Sequence, residues 1–260
     1  MAYSPDFRAN TRPMGGAAQA AVLDQGLRAY MLRVYNWMSS GLLLTAIVAY
    51  AVANTSLRSA FYHEAYSSFG THVMRPTGLA TICMIAPIGF VMVLSFGVNR
   101  LSRGTAQALY WAFCAVMGAS LSNLFMVYAQ GSIASTFLVT AATFAGMSIW
   151  GYTTKADLSR MGSFLIMGLW GIVVASVVNV FFLHNVGLQF AVSIIGVVVF
   201  TGLTAWDTQR IKTSYLNYAY ADGPDQAAKR SVFDALNLYL NFINLFMMLL
   251  QLTGSRSNNN

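Results

Sequence analysis

Seven apolar segments, each close to the roughly 20 residues a helix needs to cross a bilayer, leave this chain little choice of solvent. They cover roughly 34–53, 78–98, 106–129, 133–152, 163–183, 187–206 and 232–252. In hydrocarbon, backbone polar groups must be satisfied within the spanning structure, which favours helices over open strands. With 57% hydrophobic and only 9% charged residues, no ordinary soluble surface can be assembled. The expected fold is an all-α integral membrane bundle of seven transmembrane helices.

The breaks carry their own signals. Gln130-Gly131-Ser132 and His184-Asn185-Val186 read as tight hairpins, and Arg75-Pro76-Thr77 as a stop before a helix start. Two longer connections are expected, 54–77 and 213–231, the second holding the turn signal Asp222-Gly223-Pro224. Residues 1–30 are polar and read as a mobile cytoplasmic tail, 31–254 as the membrane domain and 255–260 as a polar tail. No apolar stretch of signal-peptide length precedes the first segment, which is expected to serve as its own insertion signal.

A net charge of +7 does not point to nucleic acid, because the basic residues are scattered between apolar segments. The positive-inside tendency accounts for them instead. A cytoplasmic amino terminus leaves only Arg58, Arg75 and Arg256 of the 15 Lys and Arg outside. The expected location is the cell inner (plasma) membrane, crossed several times. Cys83 and Cys114 fall inside apolar segments and read as small buried hydrophobes, without disulfide or metal spacing. Gly171 with Ala175, Gly118 with Ser122 and Gly196 with Ser193 are spaced for close helix contact. Ser120, Ser122, Asn123, Ser176 and Asn179 are expected to bond between helices.

Two features exceed packing. Phe190 to Trp206 is an uncharged run of 17 residues, about 25 Å of helix, and Asp207 stands at its end. A carboxylate there is costly unless it faces protein, water or a counter-charge, so it is a candidate functional group; the alternative is an interfacial Asp paired with Arg210 one turn on. In the last segment Asp234, Asn237, Asn241 and Asn244 recur at steps of 3, 4 and 3, along one stripe of one helix. Lipid cannot face such a stripe, and the polar end of the preceding helix, with Asp207, is its natural partner. Structural glue is the alternative.

Trp206-Asp207-Thr208-Gln209-Arg210-Ile211, with Leu238-Tyr239-Leu240-Asn241-Phe242-Ile243-Asn244-Leu245-Phe246, resembles the paired signature of the Bax inhibitor-1 (transmembrane Bax-inhibitor-motif) family. Tyr152-Thr153-Thr154-Lys155-Ala156-Asp157-Leu158-Ser159 is similar to its fourth-to-fifth connection. The resemblance implies six helices around a central last helix, and a pH-sensitive cation leak pathway with calcium as the favoured ion. It implies an acid pair sharing a proton as pH sensor, the first acid at Asp207, and a second-helix arginine latch, here Arg100 or alternatively Arg103. The second acid position holds Asn241, a departure that removes the like-charge repulsion on which proton sharing rests. One carboxylate with a few amide carbonyls makes at most a weak, transit-type metal site at Asp207.

No enzyme is expected. An aspartyl mechanism lacks its second acid at Asn241, no zinc motif is present, and Ser148 in Gly146-Met147-Ser148 has His184 only in a loop. No cofactor is implied beyond transported calcium. The other function to weigh is a regulator that binds a membrane protease or another membrane protein through 213–231; the remaining partners are the bilayer and calcium or protons. The charge asymmetry makes one prediction: with intact cells, a cysteine at Ser56 reacts with an impermeant thiol reagent added outside, and one at Ser214 does not.

Overall fold

A computed structural model describes residues 15–66, 72–97, 101–218 and 224–257, and the fold is helical almost throughout. A 40-residue helix, α1 (Gly15–Asn54), is followed by a short α2 (Arg58–Phe61) and an antiparallel strand pair, β1 (Tyr62–Tyr66) and β2 (His72–Pro76), with Tyr62 opposite Pro76. Then come α3 (Gly78–Gly97), α4 (Arg103–Leu121), the one-turn α5 (Leu124–Val127), α6 (Gln130–Thr153), α7 (Ser159–Val178) with a π turn at Asn179–Leu183, α8 (Val186–Tyr218) and α9 (Pro224–Thr253).

Six of these helices are long and apolar enough to cross a membrane, which makes the chain an all-α, multi-pass membrane protein. The apolar part of α3, Gly78–Leu94, is shorter. Their outward faces are made for lipid: Leu43, Phe164, Met167, Phe181 and Phe182 are all more than half exposed. The inward face of α1 follows helical periodicity, with Leu27, Tyr30, Met31, Val34, Met38, Leu42 and Thr45 buried.

The last helix is the most enclosed. Over its most apolar window 56% of α9 is buried, against 11% for the α7 segment, so α9 is internal and α7 peripheral. It packs against α1, α4, α6 and α8, while α3 lies mainly on α4, and α7 on α8. Hydroxyls join these elements: Thr45 meets the Tyr239 hydroxyl at 2.7 Å, and Ser193 donates to Gln251 at 2.7 Å.

Several expectations change. Residues 15–30, read as tail, are the first turns of α1, because Leu27 and Tyr30 are buried against the bundle. The 130–132 break is already helix; the turn is upstream, at Ser122–Asn123 and Tyr128–Ala129. The 213–231 connection shrinks, since α8 runs to Tyr218 and α9 starts at Pro224, a residue suited to a first helical turn. At 33 residues α8 is about 50 Å long, so it outruns a hydrocarbon core of roughly 30 Å. Asp222 and Gly223 lie outside the described residues. The terminal 255–257 segment is paired, Ala129 donating to the Ser255 carbonyl and Ser257 to that of Val127. Of the expected interhelical bonds, Ser122 instead meets Tyr62 of β1 at 3.0 Å, and Asn179 accepts from the Asn185 amide in its own turn. Ser120, Asn123 and Ser176 make no side-chain hydrogen bond among the described residues.

The pairing of 255–257 with 127–129 puts the end of α9 at the pole opposite the 154–158 connection, so α9 does not double back. Near that connection Gln209 holds residues 156–158, Lys212 reaches the Tyr152 carbonyl and Arg103 meets Asp225. Among the described residues, basic side chains thus gather at one pole, and Arg58, Arg75 and Arg256 lie at the other.

Close approach sets the register near Asp207. A Cβ on Gly151 would run into the backbone of Ala205, and one on Gly118 into that of Thr45, whereas Gly171 faces open space and is no contact point. Gly151→Ala is expected to lower the unfolding temperature in detergent, through an overpacking cost of ~1–3 kcal/mol. Gly171→Ala is expected to leave it unchanged or raise it slightly, since alanine is the better helix former.

Candidate functional site

Asp207 is enclosed by protein, with 6% of its surface exposed. The sequence places it there through its neighbours: Leu203, Thr204, Ala205, Thr208 and Ile211 are buried with it, so one face of α8 is internal through several turns. Its Oδ2 accepts from the Asn241 side-chain amide at 2.6 Å, and Asn241 is itself buried at 7% exposure. The expected meeting of the last two helices therefore occurs, through an acid and an amide.

The other carboxylate oxygen is held differently. An Arg210 guanidinium nitrogen lies 2.8 Å from Oδ1, close enough for an ion pair, yet Oδ1 accepts no well-angled hydrogen bond among the described residues. Arg210 sits one turn on from Asp207 and lies over the Trp206 ring, 4.9 Å from its centroid. Its side chain is 41% exposed, so the pair is half solvated on one side and buried on the other.

Among the described residues, Arg210 is the cation paired with Asp207. Arg103 is taken by Asp225 at 3.3 Å, with both side chains exposed, and Arg100 lies outside the described residues. A pair within α8 offsets the buried charge but ties no second helix to it.

The polar stripe of α9 divides into three parts. Asn241 meets Asp207, and Asp234, two turns earlier, accepts from the Tyr30 hydroxyl at 2.6 Å. Asp234 is also within electrostatic reach of Asp207, Arg210 and Arg230. Asn237 and Asn244 are half-buried and make no side-chain hydrogen bond among the described residues. The four are on one stripe, and of them Asn241 is the one hydrogen-bonded to Asp207.

Sequence reasoning missed the hydroxyl chain beside the acid. Tyr35 on α1 meets Ser148 on α6 at 2.6 Å, and Ser148 meets Thr208 on α8 at 2.9 Å. Gly151, three residues after Ser148, lets α6 come near enough for this contact. The signal was the α1 spacing, since Tyr30 and Tyr35 lie on or beside its buried stripe. Ser148 is thus a bridging hydroxyl, and His184 is in the connection after α7, with φ at 48°. No three His, Cys, Asp or Glu side chains gather as a metal site among the described residues.

A hydrogen bond to a charged buried acceptor contributes about 1.5–3 kcal/mol, so Asn241→Leu is expected to cost roughly that much stability. Asn237→Leu, which breaks no side-chain bond, is expected to cost much less; thermal unfolding of both variants in one detergent measures the difference.

Comparisons with known proteins agree with this architecture. A family model described as inhibitor of apoptosis-promoting Bax1 matches residues 27–258. The chain is 46% identical over 231 residues to the inner membrane protein YbhL of Escherichia coli, covering 89% of this chain and 93% of that one. It is 42% identical over 247 residues to an uncharacterized protein of Rickettsia prowazekii, covering 95% and 98%, and 44% identical over 229 residues to one of Borreliella burgdorferi, covering 88% and 93%. The chain belongs to the Bax inhibitor-1 family.

Proposed function

We propose that this protein is a pH-sensitive cation leak pathway of the inner membrane, with calcium as the favoured ion and Asp207 as its gate. The observation that carries the reading is the carboxylate itself, buried at the end of a long apolar run and fixed by Asn241 on one oxygen only. Among the described residues Oδ1 accepts no hydrogen bond, and its counter-charge is a half-exposed arginine, which in this reading moves aside. When Arg210 leaves, the uncompensated buried charge attracts whatever cation or proton reaches it.

In this reading α3 is the seventh span, and α9 is central, with four helices in contact and α3 and α7 completing the surround. The amino terminus is cytoplasmic, so the basic pole faces the cytoplasm. Asp234 with Tyr30, and the amides Asn237 and Asn244, line the polar stripe along which an ion passes. Arg210 takes the role expected of Arg100 or Arg103. Calcium favours six to eight oxygens, and this stripe offers fewer, which suits transit rather than storage. No resident cofactor is needed, and no catalytic step is assigned.

The departure at position 241 supplies the test. Two adjacent carboxylates cannot both ionise cheaply, so Asn241→Asp should hold one proton to higher pH and raise the midpoint of the flux–pH curve by roughly a unit or more. Calcium flux is measured in proteoliposomes against pH for the parent, Asn241→Asp and Asp207→Asn. The parent and Asn241→Asp curves are expected to be displaced, and Asp207→Asn to have lost the response. Superimposed curves would show that position 241 does not couple to the gate, and an unchanged Asp207→Asn would remove Asp207 from it.

A further inference from the structure

A groove of about 990 Å³ runs between α1 and α6 on the lipid-facing side of the bundle. Its α1 wall extends from Arg28 to Ala46, about 27 Å at 1.5 Å per residue, nearly the thickness of the hydrocarbon core. Phe144 and Phe242 contribute to its floor, and Leu32, Leu43 and Ile149, all more than half exposed, open it to the bilayer. The Tyr35–Ser148 hydrogen bond bridges the two walls at 2.6 Å, so those hydroxyls are already satisfied.

Position and charge choose the occupant. The groove opens to the bilayer over a length close to that of the hydrocarbon core, so acyl chains are its natural contents. At the basic pole the groove ends beside Arg28, which is exposed and makes no ion pair or hydrogen bond among the described residues. Of the residues that line the groove, Arg28 is the one that carries a charge, while Arg103, Arg210 and Lys212 of the same pole are engaged by Asp225, Asp207 and the Tyr152 carbonyl.

We propose that the α1–α6 groove is a binding site for an anionic phospholipid, an acyl chain lying along Phe144 and Phe242 and the headgroup phosphate meeting Arg28. The bound lipid sits on the outer side of the Tyr35–Ser148 bridge, whose inner side contacts Thr208 next to Asp207. The site stands on its own geometry and does not depend on the ion reading.

The test uses the full chain in nanodiscs and reads the motionally restricted fraction of spin-labelled lipid by electron spin resonance. Spin-labelled phosphatidylglycerol is expected to exceed phosphatidylcholine at the restricted position by roughly fivefold, as one arginine near the surface would give. Ala145→Trp fills the groove while leaving every charge in place, and is expected to abolish the excess. Arg28→Gln, a surface change, is expected to bring phosphatidylglycerol down to the phosphatidylcholine level. Equal restriction of the two lipids in the parent overturns the proposal. So does an excess surviving in Ala145→Trp, which would mark general attraction to the basic pole. An excess surviving in Arg28→Gln removes the headgroup contact, and spin-labelled stearate matching phosphatidylglycerol would make the occupant a free fatty acid instead.

Discussion

A carboxylate held inside a membrane bundle by one amide is the constraint on which the rest depends. Burying Asp207 costs free energy that a lipid-facing position could not recover, so α8 must turn this face inward and α9 must bring a donor to it. Asn241 can do so only if α9 is internal. Its helix neighbours Leu238, Tyr239, Phe242 and Leu245 are buried as well and hold α9 there. The bundle's centre and its polar contact are therefore one problem with one solution.

Small residues then decide how tightly the elements close around it. Gly151 puts α6 against the main chain of Ala205, two residues before Asp207, and Gly162 leaves room for the Trp206 indole. Trp206 in turn supports the Arg210 guanidinium, so the arginine's position depends on packing between α7 and α8 as well as on charge. Trp206 thus lies between the α7 main chain at Gly162 and the Arg210 guanidinium, one packing contact away from the counter-ion of Asp207.

Much of this was legible in the sequence because two of its signals are strong in lipid. Uncharged runs near 20 residues locate helices, and polar residues at steps of 3 and 4 must face inward, which identified Asp207 with Asn241. What was not legible involved contacts without a local signature. Tyr30 and Tyr35 approach α9 and α6 from a helix some 200 and 110 residues distant, as the Tyr30–Asp234 and Tyr35–Ser148 separations of 204 and 113 show. Helix ends were misplaced wherever helices outlast the bilayer: α1 begins at Gly15 and α8 continues to Tyr218, because hydropathy reports the solvent boundary and hydrogen bonding sets the helix boundary. Gly171 had the spacing of a contact residue, but spacing does not say which face of α7 meets a neighbour.

The amide at 241 changes how a site of this kind can respond. Where two carboxylates face each other, the bond between them exists only while they share a proton, so the helices' mutual hold is itself titratable. The Asn241 amide donates whatever the pH, so α9 keeps its grip on Asp207 and the movable partner is Arg210 on the same helix. Displacing Arg210 requires only rotation of a half-exposed side chain, a small motion beside separating two packed helices. Under the proposed function, the vacated position beside Oδ1 would take either a proton or a cation, the two competing for one oxygen. In the proposed pathway, pH sensitivity then arises from that competition at a fixed carboxylate, with Asp234 and its Tyr30 hydrogen bond setting the local field two turns away.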